Sequence, residues 1–211
     1  MSGILIYSGG MDSTVMLNEY KNNIKLCVFF FYGSKHNKRE YRYAKWNCKK
    51  LGINLVKINV NNFFKNFKSD LLLNGKDIPE GHYTEEKMKS TTVPFRNGIF
   101  LSIAAGLAES NNFNTLYIAN QTGRIYPDST QEFIDGITEA IMQGTHNGVA
   151  VNAPYTSLTK KEISLIGKEL NINFSKTYTC YNGRKLHCGK CSACVKRKEA
   201  LEGFDTTKYE N

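Results

Sequence analysis

The chain lacks any apolar run near the ~20 residues that a membrane span requires, although 41% of its 211 residues are hydrophobic. No membrane partner is therefore expected. Nothing ahead of the first apolar stretch, Ile4–Tyr7, reads as a basic leader or a cleavage site, so a cytoplasmic location is expected. Internal repeats and low-complexity linkers are also missing. What remains is one sizeable domain with room for a small appendage. Acid is in short supply: 19 Asp and Glu stand against 28 Lys and Arg, a net charge of +9. That balance suits an anionic ligand, nucleotides and nucleic acid included. A solvated Lys/Asn-rich surface accounts for the charge more simply. Six cysteines in a cytoplasmic chain point to metal or catalysis before disulfides.

The apolar pattern predicts alternating strands and helices. Ile4–Tyr7 reads as a buried strand and Ser13–Lys21 as a short helix. Leu26–Tyr32 ("LCVFFFY") is continuously apolar rather than alternating, so it belongs in a sheet covered on both faces. A polar helix over Lys38–Leu51 ends at Gly52, a natural C′ residue. Leu55–Val60 and Leu116–Asn120 supply two more strands. This order implies right-handed parallel crossovers and a doubly wound α/β sheet. Residues 61–90 are polar and irregular and read as an excursion or lid. Asn97–Glu109 carries Ile99, Phe100, Ile103, Ala104 and Leu107 on one helical face. Capping boxes are expected at Ser129–Glu132 and Thr159–Glu162, each opening a helix. Beyond Tyr178 the composition shifts to Cys, Gly and Lys. The expected division is a nucleotide-binding domain over 1–175 and a metal-binding segment over 176–211.

The stretch Ser8-Gly9-Gly10-Met11-Asp12-Ser13-Thr14 sits between a strand and a helix, where open α/β sheets place their ligands. Gly9 and Gly10 allow positive φ and close backbone approach. The free N–H groups of the next turn, the helix dipole and three hydroxyls all favour an anion. The stretch has no Gly-Lys-Ser/Thr ending and no G-x-G-x-x-G spacing. It matches the S-G-G-x-D-S signature of PP-loop ATP pyrophosphatases. The plain alternative is a glycine turn with Ser13 capping a helix.

Cys180, Cys188, Cys191 and Cys194 form C-x7-C-x2-C-x2-C. Two-residue gaps let neighbouring thiolates converge on one ion, and four thiolates close a tetrahedral Zn2+ site with no open position. Such a site is structural and would pin a segment too poor in apolar residues to pack unaided. An iron–sulfur cluster has the same ligand chemistry and stays open. His187 is adjacent but not needed as a ligand. Cys27, in an apolar strand, and Cys48, on a helix, read as packing residues.

The segments "SGGMDST", "FYGSKH", "STTVPFRNGIFLSIA", "IYPDSTQEF", "LTKKEI" and "TCYNGRKLHCGKCSAC" together resemble the 7-cyano-7-deazaguanine synthase (QueC) family. That resemblance runs through most of the chain. It implies a PP-loop fold with a small zinc element, ATP and magnesium as cofactors, ammonia as a co-substrate and a homodimer. The implied substrate is 7-carboxy-7-deazaguanine, whose carboxylate becomes an amide and then a nitrile in two ATP-dependent steps. Ser8, Gly9, Gly10, Met11, Asp12, Ser13 and Thr14 would cradle the phosphates, with Asp12 as a magnesium contact. Asp12, Ser13, Lys160 and Arg96 are the implied catalytic residues. Lys160 would act as a mobile charge on the phosphates, and Arg96 and Asn97 would face the nucleotide. A carboxylate should meet the N1–H and exocyclic amine of the deazaguanine. Asp128 is the better candidate, because Glu132 also has a capping explanation. Phe95 or Tyr126 would stack on the base, and His36 would line the site.

The sequence departs from that family near Asp128. The family reads Tyr-Pro-Asp-Cys-Arg where this chain has Tyr126-Pro127-Asp128-Ser129-Thr130. Arg124, just upstream, could replace the missing guanidinium. The departure leaves room for a QueC-like paralogue that stops at the amide or joins the carboxylate to an amine on a protein acceptor, as in antiphage defence. A tRNA-thiolating PP-loop enzyme and a zinc-ribbon nucleic-acid binder are the other classes. The latter leaves "SGGMDST" unexplained, so no nucleic-acid partner is expected.

Overall fold

The structure, a computed structural model, describes residues 2–121 and 126–210. Arg124 lies outside the described residues. In chain order the elements are β1 (Gly3–Ile6), α1 (Met11–Glu19), β2 (Ile24–Phe31), α2 (Asn37–Leu51), β3 (Asn54–Asn59), α3 (Asn61–Phe64), α4 (Glu85–Thr91), α5 (Arg96–Ser110), β4 (Thr115–Tyr117), α6 (Gln131–Gln143), β5 (Ala150–Asn152), α7 (Lys160–Glu169) and α8 (Ser192–Ala200). Every predicted strand and helix forms, with ends shifted by at most three residues. Beyond the expected elements stand the short β5, the C-terminal α8 and two short helices, α3 and α4, in the region read as irregular.

The five strands make one sheet in the order β3-β2-β1-β4-β5, and all four pairings are parallel. This is the doubly wound arrangement. The chain winds outward from β1 through β2 to β3, then crosses back to β4 on the other side.

Both faces of the sheet are covered, as the unbroken apolar run in β2 requires. Leu26, Val28 and Phe30 point into one core with Ile4, Phe100, Leu101 and Ala104. Cys27 and Phe29 point into the other with Leu5, Val15, Leu17, Ala44 and Ile163. Each buried Leu, Ile, Val or Phe contributes roughly 1.5–3 kcal/mol. Phe30 and Phe100 stack at 4.1 Å between centroids, which fixes α5 against the strand that carries the cleft floor.

The segment after β3 is irregular but packed. Phe64, Leu71, Leu72 and Ile78 join the first core. Its far end is tied to the cysteine segment by a Glu80–Cys191 bridge and by Gly81 N–H donating to the Lys190 carbonyl at 2.7 Å. The C-terminal segment packs more fully than its composition suggests. Ala200 and Leu201 enter the second core. Arg197 is buried and donates to Thr207, Thr179, Thr177 and the Phe174 carbonyl.

Cys27 and Cys48 are buried free thiols in the second core. Contact with Cys48 and burial push the Cys27 thiol well up. No described helix is long and apolar enough to cross a membrane.

Candidate active site

A cleft of ≈ 860 Å³ opens where the carboxyl ends of β1 and β4 diverge, the point at which doubly wound sheets bind ligands. The glycine turn forms one wall. Gly9 has φ 76°, and a Cβ there would lie 2.6 Å from the Glu40 carbonyl and 2.7 Å from the Ala44 nitrogen. Only glycine satisfies both demands. Gly10 differs from expectation: its φ is −73°, and it serves as the N-cap of α1 without a side-chain cap. Ser8 Oγ and Ser13 Oγ are 3.0 Å apart, and Gly10 N–H donates to Ser8 Oγ at 3.1 Å. Ser8, Gly10, Met11, Asp12 and Ser13 line the cleft. Thr14 does not; it is buried against the sheet, with its hydroxyl 3.0 Å from the Tyr7 hydroxyl.

Opposite the turn stands α7. Thr159 and Glu162 form the expected capping box, with Thr159 N–H donating to Glu162 Oε2 at 2.7 Å. That box starts the helix at Lys160 and aims its amine across the cleft. Lys160 Nζ donates to Asp12 Oδ2 at 2.6 Å, and Gln121 Nε2 donates to the same oxygen at 3.1 Å. Asp12 Oδ1 is buried and has no partner among the described residues. A carboxylate oxygen left bare beside the glycine turn has the chemistry to hold a hard cation such as Mg2+. Asn120, which the sequence reading missed, lines the same wall with a buried Nδ2 that is unpartnered among the described residues.

At the other end, Arg96 opens α5 and lies over the Tyr32 ring, 5.9 Å from its centroid. Asn97 lines the cleft, but its polar groups are occupied. Its N–H donates to Asp128 Oδ2 at 2.9 Å, and its Nδ2 to the Asp128 carbonyl and to Ser129 Oγ, both at 3.0 Å. Asp128 thus serves the positive end of α5 and is not among the residues lining the cleft. Ser129 is engaged by Asn97, so the expected Ser129–Glu132 capping box does not form. Thr130 caps α6 instead, accepting from Phe133 N–H at 3.1 Å. Glu132 is exposed on α6. Phe95 takes a left-handed conformation with φ 51°. It is 56% exposed and meets Phe133 edge-on at 5.7 Å, outside the cleft lining. Tyr126 does line the cleft.

His36 is buried at the start of α2, with Nε2 3.3 Å from the Tyr32 hydroxyl and 3.7 Å from Glu40 Oε2. Burial, then the Arg96 charge, pushes its pKa down to about 4. It is therefore neutral at physiological pH. Tyr83, from the segment before α4, bonds its hydroxyl to that of Tyr181 at 2.7 Å, and both rings line the cleft.

Cys180, Cys188, Cys191 and Cys194 are all buried, and their sulfurs lie within 4.8 Å of one another. The Cys188–Cys194 separation is 3.9 Å, close to the edge of about 3.8 Å that four Zn–S bonds of ≈ 2.3 Å would give. Backbone N–H groups of Lys190 and Cys191 point at Cys188 Sγ at 3.5 and 3.3 Å. Cys191 and Cys194 hold the Cys180 thiol down, while Cys180 and Cys191 push Cys194 up. Sulfurs this close cannot all ionise without a cation, and a divalent ion removes that conflict. His187 is engaged elsewhere: its Nε2 accepts from Thr179 N–H at 3.1 Å. Tyr178 N–H donates to the Gly9 carbonyl at 3.0 Å, so the cysteine segment is bolted to the glycine turn.

A parallel doubly wound sheet, a PP-loop-type turn at its switch point and a four-cysteine centre beside it define a PP-loop α/β protein with a four-cysteine cluster near its C-terminus. Residues 2–205 match the family described as queuosine biosynthesis protein QueC. The chain is 50% identical to the 7-cyano-7-deazaguanine synthase of Porphyromonas gingivalis over 98% of its own length and 96% of that protein. It is 44% identical to the synthase of the same name from Desulfotalea psychrophila, covering 99% of each chain. For the one from Hahella chejuensis the identity is 40%, over 97% of this chain and 90% of the other. The chain belongs to the QueC family.

Proposed function

We propose that this protein is an ATP-dependent carbon–nitrogen ligase that adenylates the carboxylate of 7-carboxy-7-deazaguanine and converts it with ammonia to 7-cyano-7-deazaguanine. Asp12 carries the nucleotide half of this reading: one oxygen is held by Lys160, and the other is bare and buried beside the glycine turn. The substrate half is supported by the name shared by relatives at 50% and 44% identity.

A carboxylate is a poor acyl donor, and transfer of AMP to it creates a good leaving group. Departure of pyrophosphate needs its charge matched. The Ser8, Ser13 and backbone donors of the turn, with Lys160, supply that match. Asp12 would hold Mg2+, which adds a divalent charge at the same point. Arg96 would neutralise the substrate carboxylate or the AMP phosphate. Zn2+ at the four cysteines is structural in this reading, and residues 176–211 are the segment it organises. The active form is a homodimer.

Arrest at the amide, or transfer to an amine on a protein acceptor, is the second reading. It is favoured by Ser129 and Thr130 standing where the family has Cys-Arg. Adenylation itself is tested with substrate labelled with oxygen-18 in its carboxylate. The expected result is one labelled oxygen in each AMP released. Label appearing only in inorganic phosphate would remove the adenylation step.

A further inference from the structure

The deazaguanine ring presents N1–H and a 2-amine side by side. The side chain that matches two adjacent donors is an ionised carboxylate. Neither carboxylate suggested by the sequence meets that need, because Asp128 bonds to α5 and Glu132 faces solvent. Glu40, on α2, lines the cleft. Its side chain is 14% exposed, and its one close polar contact is His36 Nε2 at 3.7 Å. It accepts no hydrogen bond among the described residues. His36 is neutral and provides no counter-ion. Arg96 from α5 acts on Glu40 through space, while its own hydrogen bonds go to Asn97 Oδ1. Tyr32, Tyr83, Tyr178 and Tyr181 line the cleft around this end and offer flat faces to a planar ring.

A largely covered carboxyl group that makes no hydrogen bond to the protein is costly in either protonation state. It is tolerated where a ligand completes it. We infer that Glu40 is the specificity residue for the ring, its carboxylate accepting the N1–H and the 2-amine of a 7-deazaguanine. The inference rests on the substrate class proposed above. Charge at this point fits the assignment. Burial pushes the Glu40 carboxyl up to about 8, against the opposite pull of Arg96. The groups facing it are Arg96 from α5, His36 at the head of α2, Tyr32 just beyond β2 and the cysteine segment's Tyr178, the titration of both tyrosines being perturbed by Glu40. Near neutral pH the empty site therefore holds a proton on Glu40. Two donors stabilise the ionised form, so the arriving ring expels that proton.

Calorimetric titration of the metal-loaded full chain tests this directly. The ligands are 7-carboxy-7-deazaguanine and its analogue lacking the 2-amine, each in two buffers of different ionisation enthalpy. The analogue should bind about 100-fold more weakly, the loss of one hydrogen bond to a charged group, and the parent compound should release a proton on binding. Glu40→Gln should bring the two affinities near unity ratio and abolish proton release. ATP titration of the variant serves as the control for folding. Equal binding of both compounds by the native chain, or an unchanged ratio in Glu40→Gln, overturns the role of Glu40 while leaving the substrate class standing. If the variant fails to bind ATP, the ratio and proton release of the native chain decide alone. If the native chain binds neither compound, the substrate class falls and takes this inference with it.

Discussion

The two ends of the cleft are built by different means. At the glycine turn, Ser8 to Ser13 are nearly contiguous, and their geometry follows from one strand-to-helix junction. Lys160 from α7 and Asn120 and Gln121 from beyond β4 complete that end. At the tyrosine-lined end the groups arrive separately. Glu40 comes from α2, Tyr83 from the segment before α4, Arg96 from α5 and Tyr181 from the cysteine segment. One end is a property of local backbone. The other is a property of tertiary packing, and the four-sulfur centre holds two of its contributors in place.

The sharpest way to separate the ends is to remove the centre. Cys191→Ser should drop bound metal below one ion per chain and lower Tm by about 10 °C or more. Ring binding should be lost before ATP binding, because the Glu80–Cys191 bridge anchors the segment that carries Tyr83. Metal analysis with calorimetry checks this, and undiminished metal content would refute the ligand set. A change at the other end should have the opposite profile. Asp12→Ala should slow pyrophosphate release by about 10³-fold with Tm little altered. Lys160→Met should follow at about 10²-fold.

A smaller effect comes from pH. The Glu40 pKa in the folded chain is about 8, above its ordinary value of 4.5. The folded state therefore keeps a proton that the unfolded chain releases, and stability falls as pH rises through that window. His36 works in the opposite direction: its folded value is about 4 against 6.5, so stability rises with pH between those values. The two offset each other below 6.5, and Glu40 acts alone between 6.5 and 8. The expected loss there is about 2 kcal/mol, visible as a falling Tm in metal-loaded protein. Glu40→Gln should flatten it. The smallest change is Thr159→Ala, which should cost about 1 kcal/mol by removing the cap of α7. Its check is a denaturant midpoint that shifts without a change in slope.

Legibility in the sequence follows the same division. The alternation of strands and helices, the buried β2, the Gly9 turn, the Thr159 box and the four-cysteine centre could all be read from short strings, because each depends on neighbours in sequence. The Ser129 box was read wrongly, because Asn97 competes for the Ser129 hydroxyl, and that contact spans 32 positions. Phe95 was expected in the cleft, but its left-handed backbone turns it toward Phe133. Glu40 and Asn120 carry no local signature. A glutamate on a polar helix is indistinguishable from a solvated one until α5 and the cysteine segment close over it. β5 was too short, at three residues, to register as a strand.

The measurement that bears most directly on the central claim is mass spectrometry of the products formed from ATP, Mg2+, ammonium and 7-carboxy-7-deazaguanine. The account predicts the nitrile, 7-cyano-7-deazaguanine, accompanied by AMP and pyrophosphate. A reaction that ends at the amide, or that releases AMP without forming the nitrile, would contradict it.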